Sequence, residues 1–209
     1  MLSNWMAYLQ YQMGSQLDAS GKLDGYSSWS AQLLGSVHWW MWLEATHVVT
    51  LTVFAGSILF VDLRLLGLVL PGTPISRINR SLLPLTVGGF AVLVITGTLV
   101  FFGKPFEYYH NFAFRLKLLF LLFAAVNIFI FHARVQASQA AWDDVPRPPT
   151  TVRLAAALSL LSWVLVIGAG RGMAYERFTC AKAESFVAAI ADCDGQKATL
   201  AAIAKDVSL

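Results

Sequence analysis

Residues 38–64, HWWMWLEATHVVTLTVFAGSILFVDLR, make an apolar run long enough to cross a bilayer, with a glutamate and a histidine inside it. The segment is read as a membrane-spanning helix. Ionisable groups within the hydrocarbon are expensive, and they face a partner or a ligand rather than lipid. Glu44 and His47 are therefore the first candidates for function.

Three more apolar runs follow, at 83–102, 112–131 and 154–170, each near the roughly 20 residues that a helix needs to span hydrocarbon. With 57% hydrophobic residues, 13% charged residues and a mean hydropathy of +0.61, the chain lies outside the range of soluble domains. The expected fold is all-α, an integral membrane four-helix bundle over residues 38–175. Residues 1–37 scatter Trp5, Tyr8, Tyr11 and Trp29 among polar groups, which predicts an interfacial helix followed by a loop. Residues 176–209 form a short extracytoplasmic tail, with helices predicted over 183–191 and 197–204. Pro71 and Pro74 punctuate the first connection, and Pro146, Pro148 and Pro149 stiffen the third.

A net charge of +3 would suggest nucleic acid for a soluble chain. Here the basic residues lie at helix ends and in loops, so they report topology and no nucleic-acid partner is expected. Arg64, Arg77 and Arg80 follow the first span, and Arg134, Arg147 and Arg153 lie between the third and fourth. The second connection has only Lys104, so both termini are expected outside the cytoplasm. No cleavable signal is visible in MLSNWMAYLQYQMGSQL, so the first span is expected to target the chain. Cys180 and Cys193 both fall in the tail, on the oxidising side of that topology, and are expected to form a disulfide.

On the first helix Glu44, His47 and Asp62 share a sector of roughly 60°. Asp62 and Arg64 mark its cytoplasmic end and are expected to snorkel to headgroups or to cap a neighbour. Arg115, Lys117 and Arg171 lie at the same depth as Glu44, three cations against one anion. Surplus buried charge seeks an anion, either haem propionates, lipid phosphates or carboxylates of a partner subunit, unless Glu44 pairs with Lys117 or Arg171. His47 is the candidate metal ligand, since neutral imidazole binds haem iron. A second axial ligand would come from His110, Lys117 or nothing. His132 stands about 33 Å from His110 along the third helix and is read as interfacial. Gly88, Gly89, Gly97, Gly168 and Gly172 are read as sites of close helix packing.

Glu44-x-x-His47, Gly56-Ser57 and Asp62-Leu-Arg-Leu-Leu-Gly67 together resemble the first helix of a bacterial family of uncharacterised four-helix membrane proteins. The likeness runs on through Leu83-Pro84, Gly88-Gly89-Phe90, Asn111 to Lys117 and Asn127 to His132, covering roughly residues 38–135. More distantly, His47 before a glycine-containing apolar stretch, with Lys117 and Asn127, is similar to copper-resistance D-type and small haem-handling membrane proteins. A bacterial cytoplasmic (inner) membrane is the expected location. The leading expectation for function is a b-type haem-binding or electron-transfer subunit. The alternatives are a cofactor-free accessory subunit contacting other membrane-complex subunits and lipids, and a transporter of copper or a small solute. No hydrolytic constellation or phosphate loop is present in the sequence.

Overall fold

The computed structural model describes residues 1–205 and 207–208, without the side chains of residues 135–137 and 208. The chain opens with α1 (Leu2–Ala7), which widens into a π-helical turn at Tyr8–Gln12, and then α2 (Trp29–Gly35). The Ser28 hydroxyl caps α2 by accepting from the Ala31 amide, one of the donors that a helix start leaves orphaned. Four long helices follow: α3 (Val37–Leu65), α4 (Ile75–Gly103), and, after the short α5 (Pro105–Tyr109), α6 (Phe112–Ile130) and α7 (Thr150–Gly172). The tail adds α8 (Ser185–Ile190) and α9 (Cys193–Ile203). All four long helices, α6 counted with its continuation to Arg134, are long and apolar enough to cross a membrane. The chain is all-α in character and a multi-pass membrane protein.

The second span begins at Ile75, eight residues before the apolar run at Leu83, and the fourth at Thr150 rather than Leu154. Helix formation needs only backbone continuity, and no breaker follows Pro74 until Pro84. The polar turn SRINRS therefore extends α4 past its apolar stretch. Asp143 also caps this start, its carboxylate accepting from Ser76 N at 2.7 Å and from Ser76 Oγ at 2.5 Å. Pro84 sits inside α4, where it forgoes one backbone hydrogen bond.

The chain divides into two compact units. The first comprises Met1–His47, Val94–Arg115 and Gly170–Leu209. Its extramembrane part is a cap in which Ala7, Phe106, Ile203 and Val207 are buried together, with Met6, Tyr11, Leu23 and Leu200 packed around them. Three stretches far apart in sequence thus share one core. Two strands, β1 (Leu23–Asp24) and β2 (Val207–Ser208), pair in parallel and tie the N-terminal segment to the end of the tail. Gln10 Oε1 accepts from the Phe106 amide at 2.9 Å, and Ser30 Oγ donates to the Phe102 carbonyl at 2.8 Å. Cys180 and Cys193 are disulfide-bonded, with their Cα atoms 5.3 Å apart.

The second unit comprises Val48–Leu93 and Leu116–Ala169. Phe54 of α3, Leu93 of α4, Ala124 of α6 and Trp163 of α7 meet in one cluster, so this unit is a four-helix bundle. Lipid tails are as apolar as these side chains, so close packing rather than water exclusion holds them. Gly89 permits it at Phe54, where a Cβ would stand 3.3 Å from the Phe54 Cβ. Gly88 and Gly168 face no atom within 4 Å, so only some of the glycines read as packing sites act as such.

Candidate functional site

In the first unit, His47 sits on α3 with Nδ1 2.8 Å from Thr96 Oγ1 of α4. Gly97 lies beneath the ring, where a Cβ would come within 3.2 Å of His47 Cε1. The absence of a side chain at Gly97 lets the imidazole settle against α4. Glu44, three residues earlier, is exposed and makes no ion pair among the described residues. The pairing of Glu44 with Arg171 is thus not realised. Glu44 is felt instead at Tyr108, whose hydroxyl is pushed up to about 12 by burial first, then by the charges of Glu44 and Glu107.

His110 is almost wholly buried, 1% exposed, at the centre of the cap. Its Nδ1 is 3.0 Å from the Ala191 carbonyl, which can only accept, so Nδ1 carries the proton. Nε2 then accepts from Ser3 Oγ at 3.0 Å, and Ser3 Oγ lies 2.9 Å from Thr199 Oγ1. Both ring nitrogens are taken up in hydrogen bonds within the chain. Burial holds the imidazole below its ordinary pKa, and the Arg115 charge adds to this against the Ala191 carbonyl and Asp192.

Arg115 donates through Nε to the Tyr109 carbonyl at 3.0 Å, through Nη1 to Ile190 O at 2.5 Å and through Nη2 to Ala191 O at 3.3 Å. Its guanidinium also lies 4.7 Å from the Tyr109 ring centre. Arg171 stands 5.2 Å from the centre of the Tyr175 ring. These two cations therefore organise the loop and tail around them.

In the second unit, Lys117 is half-buried on α6 and makes no hydrogen bond or ion pair among the described residues. Arg64 and Asp62 are both buried, so neither snorkels. Arg64 caps loop carbonyls, Nε donating to Thr73 O at 2.9 Å and Nη2 to Pro71 O and Val145 O at 3.4 Å each. Asp62 has the Ser159 hydroxyl as its hydrogen-bond neighbour, while its Oδ2 has no partner among the described residues. Asp62 and Ser159 line a cavity of about 700 Å³ with Phe54, Phe90, Asn127 and Trp163. Trp163 Nε1 is likewise buried without a partner among the described residues. His132 is exposed and holds the Ile128 carbonyl through Nδ1 at 2.9 Å. Among the described residues, no three of His, Cys, Asp and Glu cluster as a metal site.

Residues 28–176 match the profile of a family of unknown function, DUF6644. The chain belongs to that family. No curated protein and no solved structure matches it. The family match takes in Glu44, His47, Asp62, His110, Lys117, Trp163 and Arg171, and it reaches further in both directions than the likeness read from residues 38–135. Ser3, Thr199 and the disulfide lie outside it.

Sequence reasoning missed Ser3, Thr96, Ser159, Thr199 and Trp163. A hydroxyl in a polar segment carries no mark of the histidine it will meet. Thr96 and Trp163 did carry a signal, as a polar and an indole N–H group within apolar runs that require a partner.

Proposed function

We propose that the chain is an accessory subunit of a larger membrane complex, seated in a bacterial inner membrane with its cap and both termini outside the cytoplasm. The observation that carries this reading is the use of the outer cations by the chain itself. Arg115 is committed to three carbonyls and Arg171 to the Tyr175 ring, so two of the three cations that would seek an anionic cofactor already tie down the loop and tail, and Lys117 alone makes no such contact among the described residues. Glu44 is left exposed on a helix face with Val37, Met41 and Val48. A carboxylate at that depth is costly against lipid and is relieved by a cationic or hydrogen-bonding helix of another subunit. The disulfide in the cap supports an oxidising compartment there. The arginines Arg64, Arg77, Arg80, Arg147 and Arg153 support a cytoplasmic location for the first and third connections.

One observation favours a second reading, a b-type haem or electron-transfer subunit with His47 as iron ligand. The Thr96 hydroxyl holds His47 Nδ1 at 2.8 Å, the kind of bond that orients a ligating imidazole. The test is purification of the full chain from its own membrane in mild detergent, with native mass and absorption spectrum recorded together. The accessory reading expects a colourless, stoichiometric complex that Glu44→Lys dissociates. A monodisperse single chain indifferent to Glu44→Lys overturns it. A Soret band that His47→Ala abolishes puts the haem reading in its place.

A further inference from the structure

The cavity of the second unit is an open groove, with α4 and α6 as its walls and α3 and α7 as its floor. The floor is closed, Phe54 being 3% and Ala156 1% exposed, whereas the walls carry Val87, 58% exposed, and Phe129, 73% exposed. All four residues belong to spanning helices, so the groove opens sideways to hydrocarbon rather than to water.

Its dimensions select the occupant. It runs from Phe54 to Leu65 on α3 and from Ile75 to Phe90 on α4, a length of about 16–22 Å. A volume of about 700 Å³ spread over that length gives a mean section of about 30–40 Å². A helix about 10–12 Å across needs roughly 80–110 Å². A partner helix therefore does not fit, and alkyl chains do.

The groove is apolar along most of its length and polar at one end, where Asn79, His132 and Gln139 line it beside the first and third connections. Arg80 precedes Val87 by about two turns and lies within about 20° of the same line on α4. Helical side chains lean toward the N-terminus, so Arg80 rises toward this polar end. It is exposed and enters no ion pair among the described residues. Arg77, Arg134, Arg147 and Arg153 are exposed at the same end of the unit. Of the acids there, Asp62 holds its carboxyl against Ser159 with Oδ2 closed off, Asp143 is engaged by Ser76, and Asp144 alone is exposed. A cationic rim over an apolar slot between spanning helices suits a phosphate with acyl chains beneath it.

We propose that this groove binds an anionic glycerophospholipid, its acyl chains between α4 and α6 and its phosphate at Arg80. The full chain in detergent micelles is titrated with phosphatidylglycerol or with phosphatidylcholine of the same acyl chains, and native mass spectrometry records the lipid retained. One phosphatidylglycerol per chain is expected at saturation, with phosphatidylcholine held about fivefold more weakly or worse. Arg80→Gln is expected to weaken phosphatidylglycerol about fivefold and phosphatidylcholine by less. Ala125→Phe fills the groove from its exposed α6 wall and is expected to abolish retention of both lipids. Val126→Phe, exposed on α6 outside the groove, is expected to bind like the parent. Should Ala125→Phe fail to fold, Arg80→Gln and the comparison of the two lipids decide. The proposal is overturned by no retained lipid, by equal retention of the two lipids, by folded Arg80→Gln or Ala125→Phe that holds phosphatidylglycerol like the parent, or by a lipid-free dimer that Ala125→Phe splits. That last result would give the groove to a second copy of the chain.

Discussion

Ser3 Oγ lies 3.0 Å from His110 Nε2, across 107 positions of sequence, and this contact joins the start of the chain to the loop between the second and third spans. In the neutral imidazole Nδ1 carries the proton given to Ala191 and Nε2 accepts from Ser3. Burial depresses the His110 pKa in the folded chain. A depressed pKa means that the unfolded state binds the proton first. Stability of the cap is therefore full above the unfolded value of about 6.5 and falls as pH drops from there to the folded pKa. Thermal unfolding between pH 8 and pH 5 is expected to show this loss in the parent chain and a smaller one in His110→Gln.

The disulfide closes a loop of 13 residues that contains α8 and ends at the start of α9. Cross-linking a loop of that size contributes about 3 kcal/mol by restricting the unfolded chain. Cys180→Ser with Cys193→Ser is expected to speed amide exchange in α8 and α9 by about a hundredfold. Exchange in the second unit should stay unchanged, since its core clusters contain no tail residue.

The spans were legible because a run of apolar residues in lipid has only the helix open to it. The disulfide was legible too, from two cysteines in one polar segment. The cap was not. Its core joins Ala7, Phe106, Ile203 and Val207, none of which stands in a periodic apolar pattern long enough to announce an element. The same distance in sequence hid the role of Arg115, whose acceptors at Ile190 and Ala191 lie 75 and 76 positions away. Charge counting treated it as surplus because carbonyl acceptors do not appear in a tally of acids and bases. Asp62 was expected to snorkel or cap a neighbour, and its burial depends on Ser159 and on the loops that Arg64 draws over that end, none of which the helix's own sequence displays.

Glycines within the spans separate into two kinds, and substitution is expected to tell them apart. Gly97→Leu forces atoms into the space of the His47 ring and is expected to cost about 1–3 kcal/mol through overpacking. Gly88→Ala meets no atom within 4 Å and replaces a poor helix former, so it is expected to be neutral or to stabilise by up to about 1 kcal/mol. Melting temperatures in one detergent provide the comparison.

Topology is testable with the disulfide left in place, because bonded cysteines do not react. A single cysteine at Asp144, exposed in the third connection, is expected to be protected from an impermeant maleimide in intact cells. One at Ser20, exposed in the cap, is expected to label. The opposite pattern would place the arginine-bearing connections outside.

Asp143 holds the start of α4 from a distant loop, and its role carries its own pH signature. Its carboxylate accepts from the Ser76 amide and hydroxyl, and its backbone carbonyl accepts from the Ile75 amide at 3.2 Å. Partial burial pushes the carboxyl up, but the Ser76 bonds, Gln139 and the Arg64 charge outweigh it and hold the group below the ordinary carboxylate range. A depressed carboxylate pKa contributes stability that is present above the unfolded value of about 3.9 and is lost as pH falls toward the folded one. Asp143→Ala is expected to cost about 1–2 kcal/mol near neutral pH, in the range for losing a helix cap. Unfolding followed from pH 7 to pH 3 should show the gap between parent and variant narrowing below about pH 4. A gap that stays constant across that range would overturn the role given to the carboxylate, since Asp143→Ala leaves the backbone carbonyl to Ile75 in place.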